Sequence, residues 1–249
     1  MNLNADVPPD SPHAWPDKAD RVRGMFDRVA RRYSRINTIV SLGLDAGWRR
    51  RAVAMADVQP GDRLLDCCCG PGEFADAFAA GSPAPSHIVG VDFSEPMLRM
   101  ARARQRRRPR PIELRQADAM RLPFADASFE LVSCAFGLRN LADAPAALAE
   151  WARVLAPGGR LVILEFAMPA NRVARGFYQL YSRYALAAIG GLISGQWRAY
   201  RYLPRSVETF FAPARIVDML DAGGLVDIRQ RRLTLGVAVV TVARKPDSP

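Results

Sequence analysis

Apolar residues change their period along the chain, and each change predicts an element. Val22, Met25, Phe26, Val29 and Tyr33 recur at helical spacing between arginines, which predicts an amphipathic helix over 20–33. Segment 34–47 is mixed in character, and WRRRAVAMA reads as a second helix. After the turn signal Pro60-Gly61-Asp62, RLLDCCC predicts a short buried strand and EFADAFAA a helix. HIVGVD, IELRQAD, FELVSCAF and RLVILEF read as further strands, with EPMLRMARARQRR and APAALAEWARVL as helices among them. Pro157-Gly158-Gly159 is the expected stop of the second of these helices. Strand and helix in this order call for a mostly parallel sheet covered on both faces.

Segment 168–210 breaks the alternation with a long helical pattern, aromatic along one side. APARIVDMLDAGG follows as a helix, and LVDIRQRRLT and LGVAVVTVARK close the chain as an antiparallel edge hairpin. We expect an α/β fold with seven strands, N-terminal helices and a helical insert before the last two strands. Residues 1–19, polar and proline-rich, read as a loose arm ahead of one domain over 20–245, with a helical lid at 20–58.

Composition narrows the class. The chain has 249 residues, room for one substantial core, and 49% are apolar. The longest apolar stretch, ALAAIGGLISG at 185–195, is far shorter than the roughly 20 residues that span a bilayer. Four cysteines, three of them adjacent at 67–69, form no disulfide framework and alternate faces on a strand, so no metal site is expected. Free thiols suit a reducing cytoplasm. The net charge is +10, carried almost wholly by arginine. The run ARARQRRRPR, with arginines from Arg102 to Arg110, raises the question of a nucleic-acid groove. It extends a helix toward its C-terminus, where cations are favoured, and no aromatics interleave it. A solvated face is the preferred reading, and no nucleic-acid partner is expected.

The informative unit is Asp66-Cys67-Cys68-Cys69-Gly70-Pro71-Gly72, placed between strand and helix. Glycines there let a ligand approach the backbone. Glu73 and Asp76 follow at once, a poor setting for a pyrophosphate, so a ligand without phosphate fits better. Asp92 ends the second strand, where a carboxylate can accept both ribose hydroxyls. Asp118 and Ala119, after the third strand, suit an adenine edge, and Asp66 suits an amino group or sulfonium. Together these positions suggest S-adenosylmethionine. A helix cap is the alternative for Asp118.

With these residues in place, the chain resembles the class I S-adenosylmethionine-dependent methyltransferases. More narrowly, it resembles the quinone-biosynthesis C-methyltransferases that act on demethylmenaquinone and the ubiquinone precursor. The likeness lies in RVRGMFDRVARRYSRINTIVSLGLDAGWRR, CAFGLRNLAD, RVLAPGGRLVILEF, YQLYSRYALAAIGGLISGQWRAYRYLPRSVETF and GLVDIRQRRLTLGVAVVTVARK, and covers roughly 20–245. It implies a Rossmann-like fold and Asp66, Gly70, Gly72, Asp92, Phe93, Asp118, Ala119 and Ser133 around the cofactor. It places Arg139 and Asn140 beside the acceptor, with Tyr33, as the catalytic group. Asn37, Asp45, Phe136, Tyr178, Tyr181 and Tyr200 would line the acceptor site. This sequence departs from the family in three places. Asp45 stands where histidine is usual, Pro71 replaces threonine between the glycines, and Gln196 and Trp197 replace acidic residues.

Methyl transfer to an aromatic carbon needs an electron-rich ring, which a hydroquinone ionised at one oxygen supplies. Arg139 is expected as the cation beside that oxygen, since guanidinium stays protonated; a salt bridge to Asp143 is the alternative. Tyr178, Tyr181 and Tyr184, with Arg172, Arg175 and Arg183 around them, could line a path for an isoprenoid tail or rest on an anionic membrane surface. Lid packing or an oligomer contact is the alternative, and a homodimer is expected from the resemblance and from base rates. The leading function is C-methylation of a reduced isoprenoid quinone precursor, most of all demethylmenaquinol. Another small aromatic substrate, or a non-catalytic scaffold in quinone synthesis, are the other readings.

Overall fold

A computed structural model describes Pro12, Trp15 and residues 17–105, 111–186 and 197–247. Seven strands form one sheet in the order β3-β2-β1-β4-β5-β7-β6. The strands are β1 (Arg63–Cys67), β2 (His87–Asp92), β3 (Glu113–Gln116), β4 (Phe129–Ala135), β5 (Leu155–Phe166), β6 (Val226–Leu233) and β7 (Ala238–Arg244). The first five pair in parallel, and β7 runs antiparallel between β5 and β6. Helices α3 (Glu73–Ala79), α4 (Glu95–Gln105) and α5 (Ala144–Val154) are the crossovers. The Rossmann-like class I methyltransferase fold read from the sequence is the one adopted.

The strands are nearly continuous apolar runs because helices cover both faces. Leu64, Leu65, Asp66 and Cys67 of β1 are fully buried, and Trp151 of α5 is sealed in the core, its Nε1 donating to the Ala119 carbonyl at 2.9 Å. The sheet order reverses between β1 and its neighbours β2 and β4, which opens a crevice at their C-terminal ends.

Two boundaries differ from expectation. Helix α1 runs from Lys18 to Val40, well beyond residue 33. Ser34, Asn37 and Thr38 are weak helix formers, but Ile36 is fully buried in a cluster with Val29, Ala30 and Met97 of α4, and this packing carries the helix on. The Pro157-Gly158-Gly159 stop lies inside β5, where the register against β4 shifts and Gly158 takes φ +70°. Helix α2 (Leu44–Met55) follows α1 directly.

The 168–210 segment contains α6 (Arg172–Leu180), a π-helical stretch Tyr181–Leu186, and α7 (Trp197–Glu208). Helix α8 (Pro213–Ala222) leads into β6. Most of the expected N-terminal arm, and residues 187–196 with Gln196, lie outside the described residues. Trp15, however, packs on Tyr202 with ring centroids 5.9 Å apart, and Arg21 covers its face. Among the described residues no helix is long and apolar enough to cross a membrane.

Candidate functional site

Two cavities meet beneath α1. The first, about 360 Å³, lies over the ends of β1, β2 and β3. The second, about 410 Å³ and mostly apolar, lies between α1, α2, α6 and the end of β5. Phe26, Tyr33, Phe136 and Asn140 line both, so these four residues form the partition.

The first cavity is built on strand ends. Asp92 accepts from the Gly70 N–H at 2.8 Å on one oxygen and from the Ser94 N–H at 2.9 Å on the other. One carboxylate thereby ties together the loops after β1 and β2, and each oxygen keeps a lone pair. Burial pushes the acid up to about 6, against these two hydrogen bonds. Gly70 takes φ +53°, and a Cβ there would meet nothing within 4 Å, so the backbone opens onto the cleft. Cys68 and Phe136, at the ends of β1 and β4, also adopt positive φ (54° and 57°), backbone strain gathered at the cavity wall. Phe93, Asp118 and Ala119 line the same cleft. Asp118 accepts from the Met120 N–H at 2.8 Å, a local turn bond that leaves the second oxygen for a ligand.

Asp66 and Ser133 are placed differently. Both are fully buried; Ser133 Oγ donates to Asp66 at 2.7 Å, and the Ala75 N–H donates to its other oxygen at 3.1 Å. Asp66 reaches only a small recess of about 30 Å³ shared with Gly70, Arg49, Glu73 and Tyr33. Burial raises its acid to about 7. Ser133 lies behind Asp66 and lines none of the three cavities, so it positions that carboxylate. Gly72 caps α3 at φ +80°, with Ala101 of α4 3.4 Å from where its Cβ would stand.

The second cavity has an aromatic floor: Phe136 and Phe166 lie 4.4 Å apart between centroids, and Trp48 meets Phe166 edge-on at 5.9 Å. Arg139 stands at its end, buried, with its guanidinium 5.1 Å from the Phe166 ring. Its partner is Glu165 on β5, Nη1 to Oε1 at 2.6 Å, and not Asp143. Asp143 instead caps α5, accepting from the Ala146 N–H at 3.0 Å. The Arg139 Nε is buried with no hydrogen-bond partner. Asn140 donates to the Phe136 carbonyl at 3.0 Å and accepts from the Tyr202 hydroxyl at 3.2 Å.

Tyr33 hydrogen-bonds Asn37 on the same helix, and burial raises its phenol above its usual range. Asn37, Asp45, Tyr178 and Tyr181 all line the second cavity, and Tyr181 donates to the Val40 carbonyl at 2.8 Å, tying the insert to α1. The Tyr200 side chain lies outside the described residues; Tyr202, two positions on, lines the cavity. Glu165, Tyr202, Arg49 and Phe166 were not singled out from sequence. The one signal for Glu165 was a lone acid inside the apolar run RLVILEF.

Arg49 links the sites. It donates to Asp45 at 2.6 Å and to Glu73 at 2.7 Å, and Arg104 donates to Asp76 at 2.8 Å. Arg102 pairs with Glu95 at 2.7 Å, so the start of the arginine run makes ion pairs within the fold. Residues 106–110 of that run lie outside the described residues.

The residues of the first cavity fit an adenosyl ligand: an open glycine backbone, a carboxylate with free lone pairs at the end of β2, and a polar recess beyond.

The sequence model described as the ubiE/COQ5 methyltransferase family matches residues 16–245. A demethylmenaquinone methyltransferase of Deinococcus radiodurans is 44% identical over 229 residues, 92% of this chain and 94% of that one. Another from Thermus thermophilus is 44% identical over 222 residues, 89% of this chain and 100% of that one. Among solved structures, an S-adenosylmethionine-dependent methyltransferase from Thermotoga maritima superposes with a TM-score of 0.64 at 19% identity, covering 90% of this chain and 99% of that one. At that identity the likeness speaks for the fold alone.

Proposed function

This chain belongs to the ubiE/COQ5 methyltransferase family and is an S-adenosylmethionine-dependent methyltransferase, and from that premise we propose that it methylates a ring carbon of reduced demethylmenaquinone. The observation that carries this reading is the pair of cavities divided only by Phe26, Tyr33, Phe136 and Asn140. A polar-ended cleft beside an apolar one suits a sulfonium donor facing a flat, greasy acceptor. The names of the relatives in Deinococcus and Thermus support demethylmenaquinone as that acceptor.

The cofactor supplies a methyl group on positively charged sulfur. Asp92 would hold the ribose hydroxyls, Phe93, Asp118 and Ala119 the adenine, and the recess by Gly70, Asp66 and Glu73 the amino-acid end. Gly72 and Ser133 shape that loop and strand from behind. Orientation supplies much of the catalysis in such an in-line transfer. Arg139 holds its charge in a water-poor pocket, where a cation favours a phenolate far more than it would in water. Asn140, held from both sides by Phe136 and Tyr202, fixes the ring together with Tyr33 and Asn37. Tyr178 and Tyr181 close the insert over it.

A membrane surface as the source of the acceptor is supported by the cavity's rim. Leu42, Phe177 and Leu235 line it and yet are 76%, 71% and 81% exposed. Val173, Leu180 and Tyr184 extend the apolar face, with Arg172 and Arg175 exposed beside it. An apolar face with two arginines beside it on a chain of charge +10 matches an anionic bilayer.

The test is methyl transfer from labelled S-adenosylmethionine to chemically reduced short-tailed demethylmenaquinone, with the reduced ubiquinone precursor in parallel. Label on demethylmenaquinol supports the reading. Label only on the ubiquinone precursor moves the enzyme to the other branch, and label on neither refutes a quinol acceptor.

A further inference from the structure

Methylating a hydroquinone carbon releases one proton net: the phenolic proton leaves to solvent and is regained by the product, whereas the ring hydrogen is lost for good and needs an acceptor in the cavity. The phenolic proton leaves as the ring is activated, and Arg139 stabilises the anion that remains. Electrons from that anion form the new carbon–carbon bond while the methyl–sulfur bond breaks, its pair neutralising the sulfonium. The attacked carbon is then tetrahedral, bearing both the methyl and its original hydrogen, and the ring oxygen is a carbonyl. Losing that hydrogen as a proton returns its bonding pair to the ring and restores the phenolate. Because aromaticity is regained, a weak base is enough.

Among the described residues lining the cavity, Asp45 is the one carboxylate, and no histidine or lysine stands there. Tyr33, Tyr178 and Tyr202 are phenols that burial keeps protonated, and Arg139 and Arg49 are cations. Glu165 is spent on Arg139 and on the backbone N–H groups of Arg139 and Phe166, and does not reach the cavity. His87 sits at the start of β2, at the far end of the sheet, paired with Glu113. Asp45 is held in one orientation from both sides: Ser41 Oγ donates to Oδ1 at 2.8 Å and Arg49 Nη1 to Oδ2 at 2.6 Å. Each oxygen retains a lone pair.

Building on the proposed function, we infer that Asp45 is the catalytic base that takes the ring proton after methyl transfer. The proton moves from the tetrahedral carbon to the Asp45 carboxylate, which becomes the neutral acid and passes the proton on to solvent as product leaves.

The test compares wild-type protein with Asp45→Asn and Asp45→His, using reduced demethylmenaquinone that carries hydrogen or deuterium on the carbon to be methylated. Asparagine can still accept from Arg49 through its one carbonyl oxygen and donate through its amide to Ser41 Oγ, so cofactor binding by calorimetry should match wild type. In Asp45→Asn, kcat should fall about 100-fold or more, and an isotope effect on kcat, near unity in wild type, should appear because proton loss has become slow. Asp45→His restores a base and should recover kcat and abolish the isotope effect. An Asp45→Asn enzyme that turns over normally, or is slowed with an isotope effect still near unity, overturns the assignment. Wild-type protein that methylates no reduced demethylquinone would instead refute the proposed function itself, and this role with it.

Discussion

Arg139 and Glu165 form a buried ion pair across the ends of β4 and β5, with Nη1 2.6 Å from Oε1. The same Nη1 donates to the Phe136 carbonyl at 2.6 Å, and Glu165 also accepts from the backbone N–H of Arg139 at 3.2 Å. The guanidinium is therefore locked before any acceptor arrives, and its charge is partly balanced. Breaking such a pair leaves a lone charge in the interior. Glu165→Ala should cost about 3–5 kcal/mol of stability, measured by denaturant unfolding. Arg139→Lys keeps the charge but not the planar fork. Its cofactor affinity should be unchanged while kcat falls roughly 100-fold. Normal turnover in that variant would remove Arg139 from the chemistry.

Asp92 binds the loops after β1 and β2 and faces the cleft, so it serves both architecture and ligand. Asp92→Ala should weaken S-adenosylhomocysteine binding by about 10- to 100-fold, the loss of hydrogen bonds to a charged group. Isothermal calorimetry reads this directly, and unchanged affinity would rule out the ribose role.

Asp92 and Asp66 give the protein a pH signature. Burial raises them to about 6 and about 7, so the folded, cofactor-free protein holds protons that the unfolded chain releases near pH 4. Their contribution to stability is complete at low pH and is lost as pH rises through about 6 and then about 7. Melting temperature should therefore fall less steeply between about pH 4 and about pH 6 in Asp92→Asn than in wild type. Ribose hydroxyls donate to the ionised carboxylate, so cofactor affinity should run the other way, rising as pH passes about 6. That dependence should vanish in Asp92→Asn.

The apolar rim makes a separate prediction. Replacing Val173 and Leu180, which extend the apolar face without lining the cavity, by serine removes two exposed side chains worth about 1.5–3 kcal/mol each when buried in lipid. Co-sedimentation with anionic vesicles should drop sharply, while turnover on a detergent-dispersed acceptor stays near wild type. Equal vesicle binding would show that this rim does not touch the membrane.

Much of this was legible in the residues, for physical reasons. Strand–helix alternation with buried strands such as RLLDC left little choice but a parallel sheet, and Gly70, Gly72 and Asp92 follow from where such a sheet opens. The extent of α1 was hidden because Ser34, Asn37 and Thr38 argue locally against helix, and only contact with Met97 on α4 overrides them. Glu165 was hidden because its partner lies 26 residues away and becomes adjacent only through β4–β5 pairing. Asp143 was the nearer candidate in sequence, but its carboxylate is committed to capping α5. Tyr202 was missed for a subtler reason. The aromatic spacing in YRYLPRS predicts a helix, but sequence alone does not fix which of its residues turns inward.

The account turns on a reduced ring held against Arg139, so the most direct measurement compares two redox states of one acceptor. Labelled S-adenosylmethionine is offered to demethylmenaquinone with and without chemical reductant, and mass spectrometry locates the added methyl. We predict label on the ring carbon of the reduced form and none on the oxidised form. Equal labelling without reductant, or a methyl found on oxygen, would contradict it.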